Sequence, residues 1–136
     1  MSTLYTTIAI PLSWRHYKEA DRWYSVLSKE YGRIEFCARG ANKPLAKLTP
    51  HLEMIAEVEL LLVNGRQYET VAGVERRYLF PNIYKDHQKL ILAKNALHLV
   101  DIGTGQKQCD LELFNLIFSF LKFINEQNIS LSNKRI

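Results

Sequence analysis

The segment Leu52-Glu53-Met54-Ile55-Ala56-Glu57-Val58-Glu59-Leu60-Leu61-Leu62-Val63-Asn64-Gly65 carries the clearest periodic pattern in the chain. Leu52, Met54, Ala56, Val58, Leu60 and Leu62 recur at every second position, with Glu53, Glu57 and Glu59 between them. A period of two places the first set on one face of a strand and the glutamates on the other. Asn64-Gly65 follows. An Asn-Gly pair between two β patterns predicts a two-residue hairpin turn, because both of its positions need positive φ. The chain then returns over Gln67 to Glu75 with Tyr68, Val71 and Val74.

Upstream, Thr6 to Leu12 sets Ile8, Ile10 and Leu12 on one face, and Pro11, which lacks an amide donor, predicts an edge or a bend there. Arg22 to Ser28 carries Trp23, Tyr24, Val26 and Leu27. After Gly32, the run Arg33 to Ala38 alternates Ile34, Phe36 and Ala38 with Arg33, Glu35 and Cys37. Five strands and one long link from Gly40 to Pro50 predict a small Greek-key barrel of the OB type.

Beyond Phe80-Pro81-Asn82 the period changes. Leu90, Ala93, Leu97 and Val100 recur at helical spacing and predict a helix over Tyr84 to Ile102. Asp110 is a suitable N-cap for a second helix, which draws on Leu113, Leu116, Ile117, Phe120, Leu121 and Ile124. Phe114, Phe118 and Phe123 fall on its other faces, so this helix is apolar nearly all round. One further helix and a small barrel are not expected to cover it, and these three phenylalanines are the candidate partner contacts. The polar tail from Asn125 to Ile136 has no period and is expected to fray. The expected class is therefore α+β. Residues 1–80 form a five-stranded OB-type barrel, and residues 81–136 form a partial helical domain.

At 136 residues, 47% of them hydrophobic, the chain is long enough to bury a core. No basic n-region or bilayer-length apolar run is present, so no membrane is implicated and a cytoplasmic location is expected. Cys37 and Cys109 lie far apart and show no metal-binding spacing. The net charge of +4 conceals an uneven distribution. Between Arg15 and Lys47 there are eight basic residues against four acidic ones, whereas His51 to Phe80 holds five acidic against three basic. Concentrated cations on a turn-rich segment suit a polyanion, because each phosphate neutralised releases a condensed counterion.

Catalytic candidates are thin. His16, His51, His87 and His98 have no metal spacing, and His98 beside an apolar helical face reads as a packed side chain. Glu19, Asp21 and Glu53 read as ion-pair partners of Lys18, Arg22 and neighbouring cations. Gly40-Ala41-Asn42-Lys43-Pro44 lacks the second glycine of a phosphate loop. No enzyme is indicated, and no cofactor. The loop from Arg39 to Lys47 is more telling. Arg39, Lys43 and Lys47 recur four apart around a turn that Gly40 permits and Pro44 stiffens. Arginine grips phosphate bidentately, and lysine acts as a point charge. Arg33 and, on the nearby hairpin, Arg66 complete the candidate set of polyanion contacts. Of Tyr17, Trp23, Tyr24, Tyr31 and Phe36, most are expected in the core, and one or two exposed rings are candidate stacking platforms for single-stranded bases.

The order Tyr17-Lys18-Glu19-Ala20-Asp21-Arg22-x-Tyr24, Tyr31-Gly32-Arg33, Ala38-Arg39-Gly40-Ala41-x-Lys43-Pro44, Lys47-Leu48 and Leu52-Glu53 resembles the amino-terminal signature of the bacterial DNA repair protein RecO family. The resemblance spans about the first eighty residues, and the combination of pieces is specific. It implies an OB-fold that binds single- and double-stranded DNA, followed by an all-helical domain, and makes Arg33, Arg39, Lys43, Lys47 and Arg66 the candidate DNA-binding residues. It further implies a non-enzymatic mediator that anneals complementary strands and, with RecR, helps RecA replace SSB on gapped DNA. Two departures stand out. Ala46 occupies a position that is often serine in the family. Cys109 is the one cysteine beyond the barrel, so the four-cysteine zinc site common in the family's longer helical part does not form; SSB docking is placed in that same part. On this pattern the chain is either a naturally short variant or a piece of a longer protein. Two other classes fit the residues alone: an OB-fold adaptor whose main ligand is protein, and an RNA-binding OB module.

Overall fold

In the computed structural model, residues 3–40, 47–105 and 108–127 are described. Five strands, β1 (Thr3–Tyr17), β2 (Asp21–Ser28), β3 (Gly32–Ala38), β4 (Ala56–Asn64) and β5 (Glu69–Leu79), close into a barrel in the order β1-β2-β3-β5-β4. Every neighbouring pair is antiparallel except β3 and β5, which meet in parallel over Phe36–Glu69 and Cys37–Thr70. A four-residue helix, α1 (Thr49–Leu52), precedes β4. Helices α2 (Pro81–Lys85), α3 (His87–Gly103) and α4 (Leu111–Glu126) follow β5. The α+β expectation of five strands followed by helices is met.

The alternation of side chains builds two cores. Tyr24, Val26, Ile34, Phe36, Val58, Leu60 and Leu62 point inward and fill the barrel, with Tyr24 and Phe36 stacked at 5.9 Å. Residues one step away on the same strands point outward, and Ile10 and Leu27 meet Ala93, Leu97, Phe114, Ile117 and Leu121 of the helices. One strand therefore serves both cores, which only a period of two allows.

Several expectations are corrected. The strand predicted from Leu52 begins at Ala56, because Pro50 sits in the first turn of α1 and its fixed φ suits a helical start. Leu52 is buried all the same, as the alternation suggested. The Asn64-Gly65 hairpin exists, but Asn64 pairs with Glu69, so the turn spans four residues rather than two and Gly65 does not adopt positive φ. Pro11 coincides with a register shift between Pro11 and Ser13, the expected bend. The helix predicted over Tyr84 to Ile102 is two helices. Asp86 breaks it in an extended conformation and accepts hydrogen bonds from the Gln88 and Lys89 amides, recapping the chain for α3. Asp110 caps α4 as expected, accepting from Leu113 N at 3.0 Å. His98 is exposed rather than packed.

Asn125, expected in a fraying tail, is buried in α4. Its Oδ1 accepts from Asn82 N at 2.8 Å, and its carbonyl accepts from Lys89 Nζ at 3.2 Å, tying three helices together. The rest of that tail, from residue 128, lies outside the described residues.

Candidate nucleic-acid interface

The β1–β2 hairpin runs past the part of the barrel that the helices cover. Arg15 pairs with Trp23, and Tyr17 with Asp21, so Arg15, Tyr17 and Trp23 share the outward face of this hairpin. Tyr68, from the β4–β5 turn, joins them. The Tyr17 and Trp23 rings lie 5.4 Å apart, Trp23 and Tyr68 5.6 Å, and Tyr17 and Tyr68 6.2 Å. All three are half-buried, so each keeps part of a ring in solvent.

Cations flank the rings. The Arg15 guanidinium stands 5.7 Å from the Trp23 ring centre and the Lys18 ammonium 5.4 Å from that of Tyr17. Lys18 occupies the turn with φ of 58°, a left-handed conformation uncommon outside glycine. Trp23 is held in place by donating Nε1–H to Glu35 at 2.7 Å. On the same side, a groove of about 410 Å³ runs between Arg39 and Arg66, with Tyr68 and Thr70 in its wall. Asp21 secures the Arg39 turn by accepting from Gly40 N at 2.8 Å, and Gly40 takes φ of 70° there. Next to this turn, burial and then the Asp21 carboxylate push the Cys37 thiol up, leaving it inert beneath the charged surface.

The sequence-predicted residues divide. Arg39 and Arg66 are exposed and line one groove. Lys47 is exposed, and Lys43 falls in 41–46, outside the described residues. Arg33 is engaged elsewhere. Its Nη1 donates to Glu35 at 2.6 Å and to Ser25 at 3.1 Å, and its Nε donates to the Thr104 carbonyl at 3.0 Å. Of the candidate platforms, Tyr17 and Trp23 lie half-buried in the three-ring cluster, Tyr24 and Phe36 are fully buried, and Tyr31, 43% exposed, packs against Tyr5 at 5.4 Å. Arg15 and Tyr68 were not singled out. Arg15 had a legible signal, since it alternates with Tyr17 on a strand; Tyr68 joins only through the fold.

On α4 the three phenylalanines separate in the same way. Phe114 is 1% exposed and belongs to the core, and Phe118 packs on Tyr78 and Phe80. Phe123 is 57% exposed beside Leu116 at 64% and Phe120 at 36%. No helix of the described residues is long and apolar enough to cross a membrane, and none of their His, Cys, Asp and Glu side chains gather in a group able to hold a metal ion.

The family model described as the amino-terminal part of recombination protein O matches residues 1–80. The DNA repair protein RecO of Desulfitobacterium hafniense (strain DSM 10664 / DCB-2) is 33% identical over 118 residues, 87% of this chain and 43% of that protein. That of Geobacter metallireducens is 29% identical over 129 residues, 95% of this chain and 53% of that protein. That of Gloeothece citriformis is 29% identical over 127 residues, 93% and 45% respectively. The chain spans about half the length of the curated relatives it matches. With the match running from the first strand to the last, through the residues that build the aromatic and cationic surface, this chain belongs to the recombination protein O family.

Proposed function

We propose that this protein is a non-enzymatic DNA-binding module of recombinational repair, acting through the outer surface of an OB-type barrel. The observation that carries the reading is the three-ring cluster of Tyr17, Trp23 and Tyr68 between Arg15, Lys18, Arg39 and Arg66. Rings stack on unpaired bases without regard to sequence, and the cations track the phosphates. The strand order and the position of the cluster, at the β1–β2 and β4–β5 turns, match where OB barrels hold oligonucleotides. Arg39, Lys43, Lys47 and Arg66 are the proposed phosphate contacts. Arg33 is reassigned to holding the barrel against α3.

In this reading the protein binds single- and double-stranded DNA, anneals complementary strands without nucleotide hydrolysis, and works with RecR to help RecA replace SSB. Residues 1–80 act as the DNA-binding domain and residues 81–136 as a helical part. A protein-contact role for α4 is favoured by the exposed stripe of Leu116, Phe120 and Phe123, which suits RecR, SSB or a second copy. Annealing of complementary oligonucleotides, with and without SSB, tests the function. Acceleration without ATP supports it, and binding of SSB or RecR with no effect on annealing replaces it with a protein adaptor. Preference for RNA over the matched DNA strand points instead to an RNA-binding module.

A further inference from the structure

Alternation along the β1–β2 hairpin gives it a second face. Trp14 pairs with Tyr24 and His16 with Arg22, one residue out of step with Arg15 and Trp23. Trp14 therefore points away from the surface that carries Trp23. It lies 39% exposed at the mouth of a cleft of about 340 Å³ between the barrel and the helices, with Leu52, Glu53, Met54 and Leu97 along it. Tyr84 of α2, 46% exposed, and Lys94 of α3 line the same cleft.

Its electrostatics suit a nucleotide. The Arg22 guanidinium sits 3.9 Å from the Trp14 ring centre and the His16 ring stands edge-on at 5.2 Å, with 39% of Trp14 left exposed at the mouth of the cleft. The one carboxylate in the lining, Glu53, is neutralised: Arg22 pairs with it, and Tyr24 donates its hydroxyl at 2.8 Å. Lys94 remains exposed at the rim. The volume lies within the range of about 300–1,000 Å³ typical of ligand clefts. A wall of mixed polar and apolar character, two aromatic rings and a rim cation favour an unpaired base with its phosphate. A duplex has no base to offer such a cleft.

We infer that the Trp14–Tyr84–Lys94 cleft is a second contact site for single-stranded nucleic acid, so that the hairpin holds strands on opposite faces. The inference rests on the proposed function and extends it. Two strands gripped back to back across one thin hairpin are brought close without competing for the same rings.

The chain holds two tryptophans, one on each face, and this makes the test direct. Trp23→Phe leaves Trp14 as sole reporter, and Trp14→Phe leaves Trp23; circular dichroism checks that both variants are folded. Each is titrated with an oligothymidylate too short to reach around the hairpin. Quenching of both reporters, with two strands bound per wild-type chain, is expected. Lys94→Glu should weaken the Trp14 response about fivefold and leave the Trp23 response unchanged. Quenching of Trp23 without quenching of Trp14, or one strand per chain, overturns the second site and leaves the proposed function standing. A Trp14 response indifferent to Lys94→Glu also overturns it. Silence of both reporters rejects the proposed function itself.

Discussion

Arg33 on β3 and Asp101 on α3 stand 3.7 Å apart across the seam between barrel and helices. Asp101 also accepts hydrogen bonds from Ser13 at 2.6 Å and Ser25 at 2.7 Å, so one helical carboxylate joins three strands. Arg33→Ala removes the cation from this network and leaves Asp101 with hydroxyl donors alone. A loss of about 1–3 kcal/mol in denaturant unfolding is expected. The salt dependence of DNA binding should not change, because the Arg33 charge is spent within the protein.

Arg39 and Arg66 behave in the opposite way. Both are exposed across one groove and neither holds the barrel together. Replacing both by alanine is expected to leave thermal unfolding within the experimental spread and to weaken binding equally for all sequences. The slope of log affinity against log salt should fall by about 1.4 on single strands, the loss of two phosphate contacts. A fluorescence titration at several salt concentrations reads this directly, and an unchanged slope removes the groove from the interface.

Gly32 is irreplaceable for two reasons. Its φ is 74°, and a Cβ there would lie 2.1 Å from the Gln108 carbonyl oxygen, where the segment leading into α4 crosses the β2–β3 turn. The three Gln108 atoms that it would meet are all backbone, with no flexible side-chain end to give way. Gly32→Ala is expected to cost at least about 2 kcal/mol and to loosen α4 before the barrel, detectable as faster amide exchange in residues 111–126.

Tyr24 should make the barrel sensitive to alkali. Burial, then its hydrogen bond to Glu53, pushes its hydroxyl up to about 12. An unfolded tyrosine titrates near about 10. Because the folded value is the higher one, the stability tied to the neutral phenol is complete below about pH 10 and is lost as pH rises towards 12. Denaturant midpoints across that window should fall for the native protein and fall less for Tyr24→Phe. The same variant should cost about 1 kcal/mol at neutral pH for the missing hydrogen bond.

Two phenylalanines on α4 provide a contrast within one helix. Phe114→Ala empties a core position and should cost about 3–5 kcal/mol. Phe123→Glu should leave stability nearly unchanged while reducing hydrophobic-dye binding and any self-association measured by sedimentation. Destabilisation by both variants would place Phe123 in the core as well.

Much of this protein could be read from its residues alone. A period of two survives wherever a strand has one wetter and one drier side, so β3 and β4 were visible by alternation. β2, buried on both sides over Tyr24–Ser28, showed only as an apolar run, and the change to helical spacing after Phe80 was equally plain. Asp110 announced α4 because capping is a local act between a side chain and an amide three residues on. The charge excess between Arg15 and Lys47 was likewise a matter of counting.

Contacts distant in sequence were beyond that reading. Arg33 and Arg39 are identical as residues six positions apart. Only the packing of α3 onto the barrel decides that one is consumed by Asp101 and Thr104 while the other faces solvent. Tyr68 meets Tyr17 and Trp23 because the barrel closes, and closure is a property of all five strands together. Which faces of α4 are dry depends on where the barrel's outer wall stands, which assigned Phe114 to the core and left Phe123 bare. Local periodicity therefore determined the elements. The energy of burying one surface against another, which no single segment carries, decided which of their residues remain available to act.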